Sequence, residues 1–321
     1  FSRSDVWPEL TASALRRGIP VVLIGGTVRP GSGRLRWPLS RWFTPLYAGL
    51  AYAAAASEAD ADRLAALGVR PNALDLPGDP RHDHVLERLP DPGIFRDFGD
   101  WAGAHDVLVA GSSEPDDDPL LLDAFAQMHL ERPTARLLLC PHCPSPQRTL
   151  GLVRLARERA LESEIWKAGP VTSRAPVVIV ERPGVLADLY GVGQIAYVGG
   201  GFGTKGLHAV IEPAAYGIPV VMGPRGHGPD AALLLAAGAA VALPFPKRER
   251  LPALTQAWRR WLAEPRLRTQ AGLAARRALK TGASQHIAHR LLGLLPAAAS
   301  GAERRTAPQR GSTDSARSPR T

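Results

Sequence analysis

At 321 residues, 45% of them hydrophobic and 21% charged, the chain is longer than one hydrophobic core usually organises and too apolar for wholesale disorder, so two globular domains are expected. The formal charge of +9 does not point to nucleic acid: part of it sits in segment 297–321, the rest is spread along the body, and no aromatic residues interleave with it as base stacking requires. Two cysteines, Cys140 and Cys143, exclude a disulfide framework, and no apolar run reaches the ~18 residues of a membrane helix.

The chain opens at Phe1, without an initiator methionine. A missing beginning, able to hold a targeting segment, is therefore expected. Short β-rich runs, Gly- or Pro-marked turns and Ala/Leu/Arg segments at helical spacing then alternate, which predicts parallel sheets flanked by helices. In the first part, strands are predicted at 20–24, 51–56 and 73–76, with helices at 7–17, 39–50 and 58–67. The Pro- and Asp-rich stretch 89–103 reads as a linker.

After it the pattern restarts, with strands at 106–110, 136–140, 177–180, 195–198 and 219–222. Helices are predicted at 119–129, 146–161, 184–190, 207–216 and 231–236, a break after Val241, and further helices over 251–295. The expected organisation is a partial Rossmann-like domain over 1–98, a fuller nucleotide-binding one over 99–296 and a disordered tail over 297–321.

In open parallel sheets, ligands collect beyond the carboxyl ends of the strands. The most informative such loop runs from Tyr197 to Pro213. Three glycines, Gly199, Gly200 and Gly201, end a strand, and a basic Gly-rich turn with Lys205 leads to a predicted helix carrying His208 and Glu212. Glycines let backbone amides approach a phosphate, a helix N-terminus adds partial positive charge, and Lys205 adds a point charge. His208 and Glu212, four apart, would share one helix face, the imidazole toward phosphate and the carboxylate toward ribose hydroxyls. The alternative is that the glycines serve only tight packing, with His208 and Glu212 paired on the surface.

This loop resembles the donor loop of the 3-deoxy-D-manno-octulosonic acid (Kdo) transferases, in which Val-Gly-Gly-Ser leads to Gly-Gly-His-Asn-Pro-Leu-Glu-Pro-Ala. Gly199, Gly200, Gly206, His208, Glu212, Pro213 and Ala214 stand at matching positions, and the continuation Ala215 to Pro224 is similar as well. Collinear likeness extends over Asp5 to Pro8, Gly18 to Ile24, Ala56 to Arg63, Pro77 to Asp79, Ala110 to Ser113, Leu189-Tyr190 and Ala237 to Ala240.

The resemblance implies a GT-B architecture, two Rossmann-like domains facing across a cleft, with the first domain on the acceptor side. It implies transfer of Kdo from CMP-Kdo to a lipid A precursor at the cytoplasmic face of the inner membrane, with no cofactor and no metal. Ser112, Ser113, His142, Gly199, Gly200, Gly201, Lys205, His208 and Glu212 would hold the donor. The family's catalytic glutamate belongs to a loop upstream of Phe1, so no base is named.

Where the family has Pro-Arg-His-Pro, this chain has His142-Cys143, removing a guanidinium suited to bidentate phosphate contact. The Asn after the loop histidine is Ala209, Gly-Glu-Leu is Gly184-Val185-Leu186, and Asn-Ala-Arg is Gly25-Gly26-Thr27. A UDP-sugar donor and a catalytically inactive nucleotide- or membrane-binding remnant stay open as alternatives.

Arg29, Arg34, Arg36 and Arg41, with Trp37 and Trp42, form a basic stretch suited to anionic headgroups or to plain solvation. Asp116–Asp118 reads as helix-start charge, Arg81 to His84 as residues bordering the cleft or simply a turn, and the C-x-x-C spacing of Cys140 and Cys143 as two incidental thiols rather than a zinc or redox pair.

Overall fold

In the computed structural model, which describes residues 1–3, 6–204 and 206–294, the alternating pattern resolves into two all-parallel sheets. The first unit runs through α1 (Pro8–Arg16), β1 (Val22–Gly26), α2 (Leu39–Ala48), β2 (Tyr52–Ala55), α3 (Glu58–Ala66) and β3 (Leu74–Asp75), with strand order β1-β2-β3. Ser57 starts α3 by accepting the Asp60 amide at 3.2 Å, a standard N-cap contact. The unit's core gathers Val6, Leu23, Tyr47, Leu50, Leu64 and Leu67.

Two helices, α4 (Pro80–Glu87) and α5 (Pro92–Ala102), carry the chain across to the second unit. The stretch read as a linker is thus mostly helix. Asp91 caps α5 through the Gly93 amide at 2.8 Å, and Ile94, Phe98 and Trp101, at i, i+4 and i+7, bury a stripe in the second core. Asp91, Pro92 and Gly93 are helix-start chemistry rather than linker composition.

The second unit continues β4 (Val107–Ser113), α6 (Asp118–Glu131), β5 (Arg136–Pro141), α7 (Pro146–Arg157), β6 (Ser163–Trp166), β7 (Val177–Val180), α8 (Leu186–Leu189), β8 (Ile195–Val198), α9 (Ile211–Ala215), β9 (Val220–Met222), α10 (Pro229–Ala236) and β10 (Ala240–Ala242). Three helices follow, α11 (Lys247–Ala263), α12 (Pro265–Ala278) and α13 (Ala283–Leu292). The seven strands lie in the order β10-β9-β8-β4-β5-β7-β6. Residues 108–110, 137–139, 177–179 and 195–198 are all buried, as continuous Val/Leu/Ile runs in a sheet covered on both faces must be.

Edge strands β6 and β10 escape the sequence pattern. Ser-Glu-Ile-Trp lacks an apolar run, and Ala-Val-Ala is too short to separate from helix. No break follows Val241, because α11 lays Leu254, Trp258 and Trp261 into the same core as Phe125 of α6.

The units are latched together by α4, a helix where the sequence offered a cleft border or a turn. Arg81 and His82 both reach Asp230. Asp83, 3% exposed, accepts the Gly282 and Ser284 amides at 2.6 Å each, so α13 returns to the first sheet and sets Ile287 against Tyr52 and Ala54. Asp5, Lys205 and the expected tail over 297–321 lie outside the described residues.

Candidate functional site

The second sheet changes direction at its middle. From β4 the chain builds outward on one side through β5, then returns to place β8 on the other side of β4. Such a switch point opens a crevice beyond the carboxyl ends of the strands. Here the loops after β4, β5 and β8 meet, and one buried carboxylate ties two of them together.

Asp117 is fully buried. It accepts the Glu114 amide at 2.8 Å, the Gly200 amide at 3.0 Å and the Tyr197 hydroxyl at 2.8 Å. Burial lifts its pKa, although all three donors favour the carboxylate. Its neighbour Asp118 is also buried and pairs with Arg148. These two acids are loop anchors, a role that a reading of helix-start charge misses.

The anchor works only with glycines beside it. A Cβ on Gly199 would lie 2.2 Å from the Ser112 carbonyl oxygen, and one on Gly200, whose φ is +90°, would lie 2.4 Å from the Gly206 carbonyl oxygen and 2.9 Å from the His208 ring. Close packing is therefore a demonstrated role of these two glycines. Gly201 accepts the Arg225 amide at 3.0 Å through its carbonyl.

The helix predicted over 207–216 is shorter than expected, and α9 begins only at Ile211. Pro213 has no N–H to donate to the residue 209 carbonyl, and its ring crowds that position, so helix cannot extend back through Ala209. The His208 amide donates instead to the Gly199 carbonyl at 3.2 Å. His208 and Glu212 accordingly do not share a helix face. They share a cavity of roughly 330 Å³, walled also by Ser112, His142, Arg182 and Gly184.

Ser112, in the left-handed region at φ +52°, faces this cavity, whereas Ser113 is 1% exposed and lies beneath it next to Asp118. The His142 amide donates to the Ser113 carbonyl at 3.0 Å, and the His142 ring stacks on His208 with centroids 4.0 Å apart. His208 Nε2 lies 3.3 Å from Glu114 Oε1. Arg182, two residues past the end of β7, lies over the Trp166 ring and lines the cavity. The sequence did not single it out, though its place just after a strand was available as a signal.

Glu212 stands in the wall between this cavity and a neighbour of roughly 560 Å³ lined by Arg88, Pro90, Tyr216 and Arg276. Burial raises its carboxyl pKa; Arg88 opposes that shift and Asp188 adds to it. Arg88 itself donates to Asp188 at 2.7 Å.

Among the described residues, Glu114, His142 and His208 form the one cluster whose ligand-type atoms, all within 4.8 Å of one another, suit a metal ion. The cysteines do not form such a site: Cys140 is buried, which drives its thiol pKa up, and Cys143 is exposed. In the first unit, Arg29, Arg36 and Arg41 are exposed beside Trp37 and Trp42, 81% and 77% exposed. Arg34 is held to the fold, donating to the Tyr47 hydroxyl at 3.1 Å and lying over the Phe43 ring.

A sequence model of the 3-deoxy-D-manno-octulosonic-acid transferase (kdotransferase) family matches residues 1–84. A 3-deoxy-D-manno-octulosonic acid transferase of Bordetella pertussis is 29% identical over 75% of this chain and 56% of its own length. A second, from Haemophilus influenzae, is 22% identical over 68% of this chain and 51% of its own length. The chain thus spans about half the length of these curated relatives.

Among solved structures, the C-terminal CMP-Kdo binding domain of WaaA from Acinetobacter baumannii superposes with a TM-score of 0.50 and 19% identity, over 58% of this chain and 95% of that domain. A UDP-GlcNAc 2-epimerase of Neisseria meningitidis bound to UDP-GlcNAc superposes with a TM-score of 0.57 and 16% identity, over 89% of this chain and 73% of its own. Neighbours of this kind place the fold among the GT-B glycosyltransferases and epimerases.

Proposed function

We propose, from its likeness to the 3-deoxy-D-manno-octulosonic acid transferases, that this chain serves a glycosyltransferase taking Kdo from CMP-Kdo to a lipid A precursor in lipopolysaccharide synthesis. The observation that carries this reading is the convergence of Ser112, His142, His208 and Glu212 on one cavity at the switch point of the second sheet. An activated sugar phosphate needs cationic or hydrogen-bonding partners for the departing phosphate and a fixed nucleoside to orient it.

His208, His142, Ser112 and Arg182 provide the first set, with Lys205 on the same loop. Glu212, a carboxylate in the wall between two cavities, suits the paired hydroxyls of a ribose. Ser113 and the glycines at 199–201 act from behind, as packing that sets where His208 stands. The base for the acceptor hydroxyl is not assigned to any residue of this chain.

The acceptor reading rests on a cleft of roughly 450 Å³ lined from the first unit by Thr27, Ser57 and Glu58 and from the second by Asp230, Leu233 and Lys280. Exposed Trp37, Trp42, Arg29 and Arg36 would meet the inner membrane's anionic headgroups.

Calorimetric titration with CMP, CMP-Kdo, UDP and UDP-sugars tests the donor. Saturable binding of CMP and CMP-Kdo with no response to the uridine ligands is expected. Uridine binding without cytidine binding would replace this donor by a UDP-sugar, and no nucleotide binding at all would remove the transferase reading.

A further inference from the structure

The connection between α4 and α5 spans only 88–91, and a single buried carboxylate holds both of its ends. Asp188 of α8, 3% exposed, accepts the Arg88 Nη2 donor at 2.7 Å and the Asp91 amide at 3.1 Å. Arg88 is where α4 stops. Its amide closes the last turn on the His84 carbonyl at 3.1 Å, its own backbone is extended, and Pro90 keeps Leu89 out of helix.

Arg88 also lines the cavity of roughly 560 Å³ that Glu212 walls. An arginine carries five N–H donors in a rigid fork, and Asp188 takes one of them. One cation thus stands beside two carboxylates, Asp188 and Glu212. In a partly buried site like charges oppose each other, so the cation decides whether both acids stay ionised.

Other charged and titratable groups face Glu212 as well. His84 and Glu87 of α4 and Arg276 of α12 line the same cavity and are exposed. Tyr190 and Tyr216 lie close enough to feel its charge. His142, Arg182 and His208 line the donor cavity on the other side of the wall. Burial pushes the Glu212 carboxyl up, Arg88 pulls it down and Asp188 pushes it up.

Packing fixes the arrangement. Val85 and Leu86 of α4 pack on the core that holds Ile211 and Ala214 of α9, so α4 touches the helix that carries Glu212. At its other end α4 carries the Arg81 and His82 contacts to Asp230. One helix therefore runs from the latch between the units to the wall of the donor cavity.

We propose that Arg88 is a positioning residue of the donor site: its guanidinium, shared between Asp188 and Glu212, keeps the Glu212 carboxylate charged and placed for the ligand, and ties it to the connection between the two units. The role rests on the reading of Glu212 as the ribose contact.

A carboxyl carbon NMR titration of the full chain reads Glu212 without any nucleotide, its signal assigned by its loss in E212Q. In Arg88→Gln the midpoint should rise by about one pH unit, as on removal of an adjacent opposite charge, and Arg88→Lys should restore most of the difference. Asp188→Asn breaks the same ion pair but removes the opposing charge, so its midpoint should fall. CMP affinity should follow the carboxylate. In Arg88→Gln it should be about tenfold weaker on the acid side of the profile, one pH unit being a factor of ten in the ionised fraction, and should converge on the parent in base.

If Arg88 serves only to partner Asp188, both substitutions break one contact and move Glu212 alike. A common direction of shift, or an unmoved midpoint in Arg88→Gln, overturns the proposal even with CMP still bound by the parent. Should Arg88→Gln not fold, a small rise in Arg88→Lys with a fall in Asp188→Asn supports it, and a common direction overturns it. A parent that binds no CMP removes the donor reading, and with it the role of Arg88, whatever the titration shows.

Discussion

The Asp117 carboxylate accepts the Gly200 amide at 3.0 Å across 83 residues of sequence, and this one buried bond joins the loop after β4 to the loop after β8. The candidate site exists because those loops are held at a fixed separation. Asp117→Ala strands the Glu114 and Gly200 amides and the Tyr197 hydroxyl. Unsatisfied buried donors cost about 1–3 kcal/mol each, so the expected loss is at least about 2 kcal/mol in chemical denaturation, with weakened CMP binding. Undiminished stability would show that water or a neighbouring group replaces the carboxylate.

Gly200→Ala should act on the same loop from the other side. A left-handed alanine costs about 1–2 kcal/mol, and its Cβ would clash with the Gly206 carbonyl and the His208 ring. Lower melting temperature and at least tenfold weaker CMP binding are expected. Gly203→Ala is the matched control, because a Cβ there meets nothing within 4 Å. Equal behaviour of the two variants would count against the loop geometry.

Glu212→Ala should leave the fold intact and reduce CMP affinity by about tenfold or more, the loss of a charged hydrogen-bond pair being worth about 1.5–3 kcal/mol. The carboxyl pKa is raised above its ordinary 4.5 by burial, against the pull of Arg88, so Glu212 takes up its proton at a higher pH than an ordinary glutamate. CMP affinity of the parent should therefore begin to fall on acidification above pH 4.5, and Glu212→Gln should remove that limb of the profile. A parent profile flat through this range would exclude an ionised Glu212 from the ligand.

Acid should also release the latch between the units. Burial alone would raise Asp83 and Asp230, but the Ser284 and Gly282 amides hold Asp83 below its ordinary 3.8, and His82 and Arg81 do the same for Asp230. Carboxyls with depressed values stabilise the folded state above the unfolded value and lose that contribution as pH falls through the folded one. Thermal melts should thus show a loss below pH 3.8 that is smaller in Asp83→Asn, whose neutral-pH stability is already reduced. An identical acid limb in parent and variant would place the transition elsewhere.

Anionic vesicles probe the first unit. Co-sedimentation with phosphatidylglycerol vesicles should weaken as salt screens the arginines, and should fall further in a variant with Trp37→Ala, Trp42→Ala and Arg36→Ala. Binding unchanged in that variant would assign the exposed tryptophans to another contact.

Local order set most of the architecture. Runs such as DVLVA and RLLLC can bury both faces only in a covered parallel sheet, and the glycine-to-proline stretch around 199–213 marked the loop that matters before any coordinates. What sequence order left undecided were effects between distant residues. Pro213 ends the helix before it reaches His208, so the cavity rather than a helix face joins His208 to Glu212.

Asp117 reads only as helix-start charge until Gly200 and Tyr197 arrive from β8, and 89–103 looks like a linker until Phe98 and Trp101 find the second core. Glu114, His142 and His208 are separated by long stretches of chain and meet only because β8, β4 and β5 are neighbours. Periodicity and turn chemistry act over a few residues and can be read in one dimension, whereas strand order and the partner of a buried charge depend on chain closure over tens of residues, which only the folded packing decides.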